Sequence, residues 1–315
     1  APISEEIVAA ITAAVEMMVG HKVMALAAIM LIGMMVVSAS AASYNDLTDK
    51  DQIVNKDAVS MLVSLGIIEG KPDGSYAPTE NVDRAQMAKM LSVIMNKGVD
   101  NSALYQSVNS GLVDVNTNWA KGHINYCYTT GIIAGRGNGK FDPSATVTAL
   151  EAAKMLLVAV GYDPAIEGFE GADWAINVSV RADEQGIFEG FTKDLSAPLN
   201  RDDAALLIYN ALDVEMIQSY TTNNYPIAYS DHRTILADKY GVIKVQGVVV
   251  ANEWASLASD DGDAALKEGK TTIYNGEGIF STTGNTTVSK EASVWAYYSL
   301  SWSAILFVIC CLMIL

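Results

Sequence analysis

Three equal intervals constrain this chain more than any other feature. Gly66-Ile67-Ile68-Glu69-Gly70, Gly131-Ile132-Ile133-Ala134-Gly135 and Gly186-Ile187-Phe188-Glu189-Gly190 each precede a polar turn and then a proline. The first glycine and the proline, Gly66/Pro78, Gly131/Pro143 and Gly186/Pro198, are 12 residues apart each time. Trp119 and Trp174 each stand 12 residues before the second and third glycines, and each is followed by Ala. Self-similarity of this kind means one small supersecondary unit used three times, each copy needing neighbours to bury its apolar face.

The chemistry of the unit is readable. Val59, Leu62 and Val63 recur at i, i+3 and i+4, which predicts a helix, and Gly66 supplies its left-handed C-terminal cap. Pro72-Asp73-Gly74 and Gly137-Asn138-Gly139 are turn residues. Tyr76 and Phe141, two residues before the proline, are expected to plug the loop into the core. A second helix then starts behind Asp83 with Gln86, Thr148 with Glu151, and Asn200 with Asp203, at capping-box or near-capping-box spacing. Ala-Lys-Met-Leu recurs at 88–91 and 153–156 as part of its apolar stripe, with Ala205, Leu207 and Ile208 at the matching places of the third copy. The predicted fold class is mainly α, three helix-loop-helix units packing their stripes around a common core. The links 97–110 and 161–173, rich in Gly, Ser, Asn and Asp, read as surface connections.

These residues resemble the S-layer homology family over about 44–213. Its pattern runs as an aromatic-x-Asp opening, Trp-Ala, Gly-Ile-Ile/Val-x-Gly, an Asp-Gly turn, aromatic-x-Pro and a Thr-Arg-Ala-Glu helix start. Tyr44-Asn45-Asp46 and Val113-Asp114-Val115 match the opening. The resemblance implies a three-lobed, pseudo-threefold domain with a central three-helix bundle, repeats at 43–97, 111–161 and 172–213, and grooves that bind secondary cell-wall polysaccharide, often bearing pyruvate ketals. A ketal carboxylate would dock on free N–H groups at a helix start, beside an Arg fork. By position the forks are Arg84 and Arg201, with Ala149 leaving the second repeat without one and Val54 standing where the others have Trp. At most two good grooves follow. Asp46, Asp114, Gly70, Gly135, Trp119 and Trp174 complete the glycan set by position. For the two Trp, core packing is the favoured alternative. For the two Gly, turn geometry alone is the alternative.

Charge and composition bound the rest. Acidic residues outnumber basic ones, 36 to 20, for a net charge of -16. No run of Lys or Arg offsets this, which argues against nucleic acid as a partner. Cys127, Cys310 and Cys311 form no disulfide framework or zinc spacing. His21, His123 and His232 show no metal spacing, no catalytic or phosphate-binding motif appears, and neither metal, cofactor nor enzymatic activity is expected.

The ends read differently from the middle. Residues 22–42, basic then apolar then small, have the grammar of a signal peptide. Residues 1–21 in front of it are unassigned. After the repeats, 214–293 reads as a β-rich module, with strand-like stretches at Lys239–Trp254, Thr271–Ile273 and Thr286–Val288. The uncharged stretch 294–315 is long enough for a hydrophobic helix that spans a bilayer, with a buried hairpin as the alternative.

The expected function is non-covalent anchoring of a secreted protein to the bacterial cell wall, with the polysaccharide, and other S-layer subunits, as candidate partners. The competing reading is a structural S-layer or membrane-anchored surface protein with degenerate, non-binding repeats. A wall-modifying enzyme in the β region is the third, and no residue constellation supports it.

Overall fold

The computed structural model describes residues 44–242 and, beyond them, the backbone of 248–251, 272–274, 279–281, 296–300 and 304–308. The signal-peptide region and residues 1–21 lie outside the described residues.

Six helices form three units in chain order. They are α1 (Lys56–Ser64) with α2 (Arg84–Met95), α3 (Lys121–Thr129) with α4 (Ala149–Val160), and α5 (Trp174–Glu184) with α6 (Arg201–Ala211). The first helix of each unit stops the same way. Gly66, Gly131 and Gly186 sit at φ of 69°, 79° and 70°, a region where a Cβ is costly. Their N–H groups bond to Val63, Tyr128 and Asp183, and the next residue's N–H reaches back to Leu62, Cys127 and Ala182. These are three matching Schellman caps. Tyr76 and Phe141 are buried in the core as expected.

The second helices start as their sequence demands. Asp83 accepts from the Gln86 N–H at 2.7 Å, and its own N–H donates back to Gln86 Oε1 at 3.0 Å. Thr148 and Glu151 do the same, at 3.2 Å each way. Asn200 accepts from the Asp203 N–H at 2.8 Å. Each cap contributes about 1 kcal/mol.

The cap residues are extended, which brings the three starts together edge to edge. The Val82 N–H donates to the Leu199 carbonyl, Leu199 to Val147, and Val147 back to Val82, at 2.8, 2.8 and 2.9 Å. Bridges Asn81–Asn200, Asp83–Thr146 and Thr148–Pro198 flank this closed ring. Below it α2 packs on α4 and α4 on α6. Small residues there, Ala85, Ala88, Ala149, Ala152, Ala153, Ala204 and Ala205, are buried and let the helices approach. Met87, Leu91, Leu156, Leu157, Leu207 and Ile208 fill the core beside them, each worth about 1.5–3 kcal/mol of burial.

The units are interleaved rather than side by side. Each first helix packs on a second helix of the preceding unit: α3 on α2, α5 on α4, and, closing the circle, α1 on α6. At the closure the Asn55 N–H and side-chain amide both donate to the Asp202 carboxylate, at 3.2 and 2.9 Å. The link 161–173 is more than a surface connection, because Phe169 is fully buried.

After α6 come the hairpin β1 (Ile217–Tyr220) and β2 (Pro226–Ala228), then α7 (Ile235–Tyr240). The expectation of strand from Lys239 fails at its start. The Thr234 hydroxyl accepts from the Ala237 N–H and caps a helix, and Gly241 at φ 61° ends it. Strand begins instead at β3 (Val248–Ala251), which pairs antiparallel with β4 (Thr272–Tyr274), itself paired with β5 (Ile279–Ser281). Thr286–Val288 lies outside the described residues.

The hydrophobic C-terminal helix is not formed. β6 (Ala296–Leu300) and β7 (Ala304–Val308) run antiparallel, with Ala296 opposite Val308 and Leu300 opposite Ala304. Tyr297, Tyr298, Ile305, Phe307 and Val308 are aromatic or β-branched types that favour strand. Among the described residues no helix is long and apolar enough to cross a membrane.

Candidate functional site

Interleaving makes two grooves, each assembled from all three units. The first is lined by Ile67–Lys71 and by Gln86, Lys89 and Met90 of unit one, with Trp119 from unit two and Arg201 from unit three. The second has Ile132, Ala134–Arg136, Glu151, Lys154 and Met155 of unit two, Trp174 from unit three and Arg84 from unit one. Residues 169–171 of the link complete it. The two grooves correspond at five positions, Gly70 with Gly135, Lys71 with Arg136, Lys89 with Lys154, Trp119 with Trp174 and Arg201 with Arg84, and differ where Glu69 and Gln86 face Ala134 and Glu151.

The arginines occupy joints more than they face solvent. Arg84 is 4% exposed. Its Nε donates to the Phe141 carbonyl at 2.8 Å, its Nη2 to Ala134 at 2.9 Å, and its guanidinium lies 4.3 Å from the Phe141 ring centroid. Arg201 repeats this on unit one, with Nε to the Tyr76 carbonyl at 2.8 Å, Nη2 to Glu69 at 3.3 Å, and the Tyr76 ring at 4.8 Å. Two of the five guanidinium N–H groups are thereby spent on backbone. Burial, then nearby Arg136, pulls the Arg84 pKa down to about 10, so it stays charged at neutral pH.

Free helix-start N–H groups, expected as the carboxylate dock, are already used. Arg84 and Ala85 N–H donate to the carbonyls of Ala145 and Pro143, and Arg201 and Asp202 N–H to those of Glu80 and Pro78. The ring that joins the units consumes them, a cost invisible in any one repeat.

The fork also serves a different groove from the one its repeat suggests. Arg84 of unit one lines the groove of unit two, so Ala149 does not strip that groove. The loss falls on unit three, where the Leu150 N–H meets the Leu195 carbonyl. Val54 is 81% exposed and adjoins Asn55, which is held by α6. Both departures from the repeat pattern therefore converge on unit three. There Leu206 also replaces the lysine of the shared Ala-Lys-Met-Leu.

Asp114 lies outside the grooves and braces a loop. Its carboxylate accepts from the N–H groups of Phe141 and Asp142 at 2.9 and 2.8 Å. Asp142 is held at φ 61°, a strained value for a non-glycine residue. Burial raises the Asp114 pKa, but these two hydrogen bonds outweigh it and hold the carboxyl below the usual range. The matching residue in unit one is Asp49, not Asp46. Asp49 accepts from Tyr76 and Ala77 at 2.7 Å each, and Ala77 sits at φ 55°. Asp46 belongs to the short 3-10 turn Tyr44–Asp46 and lines neither groove.

Core packing, the favoured alternative for the two tryptophans, does not hold for Trp119, which is 58% exposed. Trp174 is half-buried against the core, with the Lys154 ammonium 5.8 Å from its ring centroid. Gly70 and Gly135 are explained by their own loops. A Cβ on Gly135 would come 2.9 Å from the Lys140 carbonyl, and one on Gly70 3.1 Å from Leu47 Cδ2.

The residues missed from sequence are the lysines and their neighbours. Lys89, Lys154, Lys71 and Arg136 are scattered along the chain and meet only in the grooves. The recurring Ala-Lys-Met-Leu was their signal, since a lysine repeated inside an apolar stripe needs a reason. Three cations line each groove, against Glu69 in the first and Glu151 and Glu170 in the second, in a chain of net charge -16. This local surplus of positive charge favours an anionic ligand.

Ser92, His123 and Asp100 also meet. His123 Nδ1 is 2.5 Å from Ser92 Oγ, and Nε2 is 3.6 Å from Asp100 Oδ2. Ser92 and His123 are buried, and Ser92 Oγ also donates to the Lys89 carbonyl, so the trio ties α2, α3 and the link between them. Among the described residues no group of three or more His, Cys, Asp or Glu is placed to hold a metal ion.

Known proteins share parts of this chain's pattern. The S-layer homology domain matches residues 43–88 and 113–153, within units one and two, and the third unit lies outside those segments. Among relatives, a cell surface protein of Thermoanaerobacter kivui is 27% identical over 81% of this chain and 30% of its own length. The middle cell wall protein of Brevibacillus brevis is 26% identical over 77% of the chain and 22% of its length. An S-layer protein of Bacillus licheniformis is 32% identical over 36% of the chain and 12% of its length. The chain thus spans less than a third of these relatives. S-layer homology segments and surface-protein relatives together support a place at the cell surface or cell wall.

Proposed function

We propose that this protein binds an acidic secondary cell-wall polysaccharide in two grooves and is thereby held non-covalently on the bacterial wall. One observation carries the reading: two grooves each combine, at matching positions, an arginine, a lysine and a tryptophan from three different units. The tryptophan offers an apolar face for a sugar ring. Lysine, with the unspent guanidinium N–H groups, offers charge-assisted hydrogen bonds to a carboxylate such as a pyruvate ketal. At the loop of unit three, Ala149, Leu206 and Val54 stand where the two grooves have arginine, lysine and tryptophan, and the reading of degenerate, non-binding repeats applies to that position alone. Other S-layer subunits are further candidate partners.

Co-sedimentation with purified, carboxylate-bearing wall polysaccharide tests this. Lys89→Gln combined with Lys154→Gln should weaken binding on the order of tenfold or more, the scale of a lost charge-assisted bond. Far-ultraviolet circular dichroism should be unchanged. Equal binding by this double variant and wild type would reject the grooves as the site. Arginine variants are the poorer test, because Arg84 and Arg201 also hold the units together.

A further inference from the structure

The two grooves match in sequence but not in readiness for an anion. In the first, Lys89 Nζ is 3.5 Å from Glu69 Oε2, so the groove supplies its own carboxylate. At the matching position the second groove has Ala134, and Lys154 Nζ instead meets a neutral carbonyl, that of Phe169, at 2.5 Å. Glu170 also lines the second groove and acts on Lys154 through space, but it closes no ion pair on it. The other cations are balanced alike, Lys71 by Glu80 and Arg136 by Glu151.

Shape differs in the same direction. The second groove encloses about 650 Å³ and the first about 220 Å³. Ligand clefts usually run from about 300 to 1,000 Å³. Both lysines are half-buried, but Trp174 beside Lys154 is half-buried too, whereas Trp119 across from Lys89 is largely exposed.

We infer that the grooves are unequal: the second is the primary site for a carboxylate-bearing glycan, and Glu69 is a built-in competitor that weakens the first. This rests on the glycan-binding reading above and assigns specificity within it. A glycan carboxylate entering the first groove must displace Glu69 from Lys89. In the second groove it meets no carboxylate paired with Lys154.

Trp119 and Trp174 report on the grooves separately. The full chain labelled with 5-fluorotryptophan gives fluorine signals that Trp119→Phe and Trp174→Phe assign. Titration with the purified polysaccharide should move the Trp174 signal at lower concentration than the Trp119 signal. Glu69→Gln should lower the Trp119 midpoint about two- to fivefold, the range for an exposed ion pair, and leave Trp174 unchanged. Ala134→Glu should raise the Trp174 midpoint. Equal midpoints in wild type, or a Trp119 midpoint indifferent to Glu69→Gln, would overturn the inequality while leaving glycan binding intact. Silence of both signals, with the carboxylates present, would overturn glycan binding itself.

Discussion

Two joints between units carry an arginine and the third does not. Arg84 ties unit one to the loop of unit two, and Arg201 ties unit three to the loop of unit one. Between units two and three, Ala149 replaces the arginine, and Ser196 stands where Tyr76 and Phe141 stand in the other loops. The carbonyl matching Glu69 and Ala134, that of Glu189, is taken instead by Asn210 Nδ2 at 2.9 Å, from within unit three. The arginine and the aromatic therefore behave as one assembly. Where the arginine is absent the aromatic is absent too, and the orphaned carbonyl finds another donor.

The largest expected effect is on the first joint. Arg84→Ala should cost about 3–4 kcal/mol, from two lost charge-assisted bonds and a buried cation–π contact. Arg201→Ala should cost about half as much, since Arg201 is only half-buried. Urea unfolding measures both, and equal small losses would show that the joints do not depend on arginine.

The bracing aspartate comes next and can be read by pH. Asp114→Asn should cost about 1–2 kcal/mol at pH 7. The native carboxyl titrates below its ordinary value, so its stabilisation is complete above the unfolded pKa of about 3.9 and is lost as pH falls through the lower native value. The wild type should therefore lose stability in acid more steeply than the variant, and the gap between them should close. A constant gap down to pH 2 would mean that the carboxylate charge is not what holds the Phe141 loop.

The smallest effect is expected at the joint without arginine. Asn210→Ala should cost about 1 kcal/mol, the worth of ordinary hydrogen bonds, here to the carbonyls of Ile187 and Glu189. A loss as large as that of Arg84→Ala would show that Asn210 fully replaces the missing fork.

Much of the unit was legible because it is local. The caps at Asp83, Thr148 and Asn200 and the glycine stops at Gly66, Gly131 and Gly186 depend on partners three to five residues away. Six of the eight candidate glycan residues, Arg84, Arg201, Gly70, Gly135, Trp119 and Trp174, do line the two grooves. Asp114 proved to brace its loop, and Asp46 was out of register with it by three positions, because several acidic residues crowd that opening and only the loop geometry selects Asp49. The C-terminal apolar stretch left a helix and a hairpin both open, because hydropathy reports length and not period, and the backbone there pairs as a hairpin.

Sequence alone determined the repeating unit, its caps, its turns and its buried aromatics, since each rests on short-range hydrogen bonds and on the periodicity of apolar residues. Only the tertiary structure decided which arginine, lysine and tryptophan share a groove. Those partners are 20 to 112 residues apart in the chain, and they meet because the three helix starts close into a ring and each first helix packs on its neighbour's second. That closure also settled that the helix-start N–H groups hold the units together instead of waiting for a ligand.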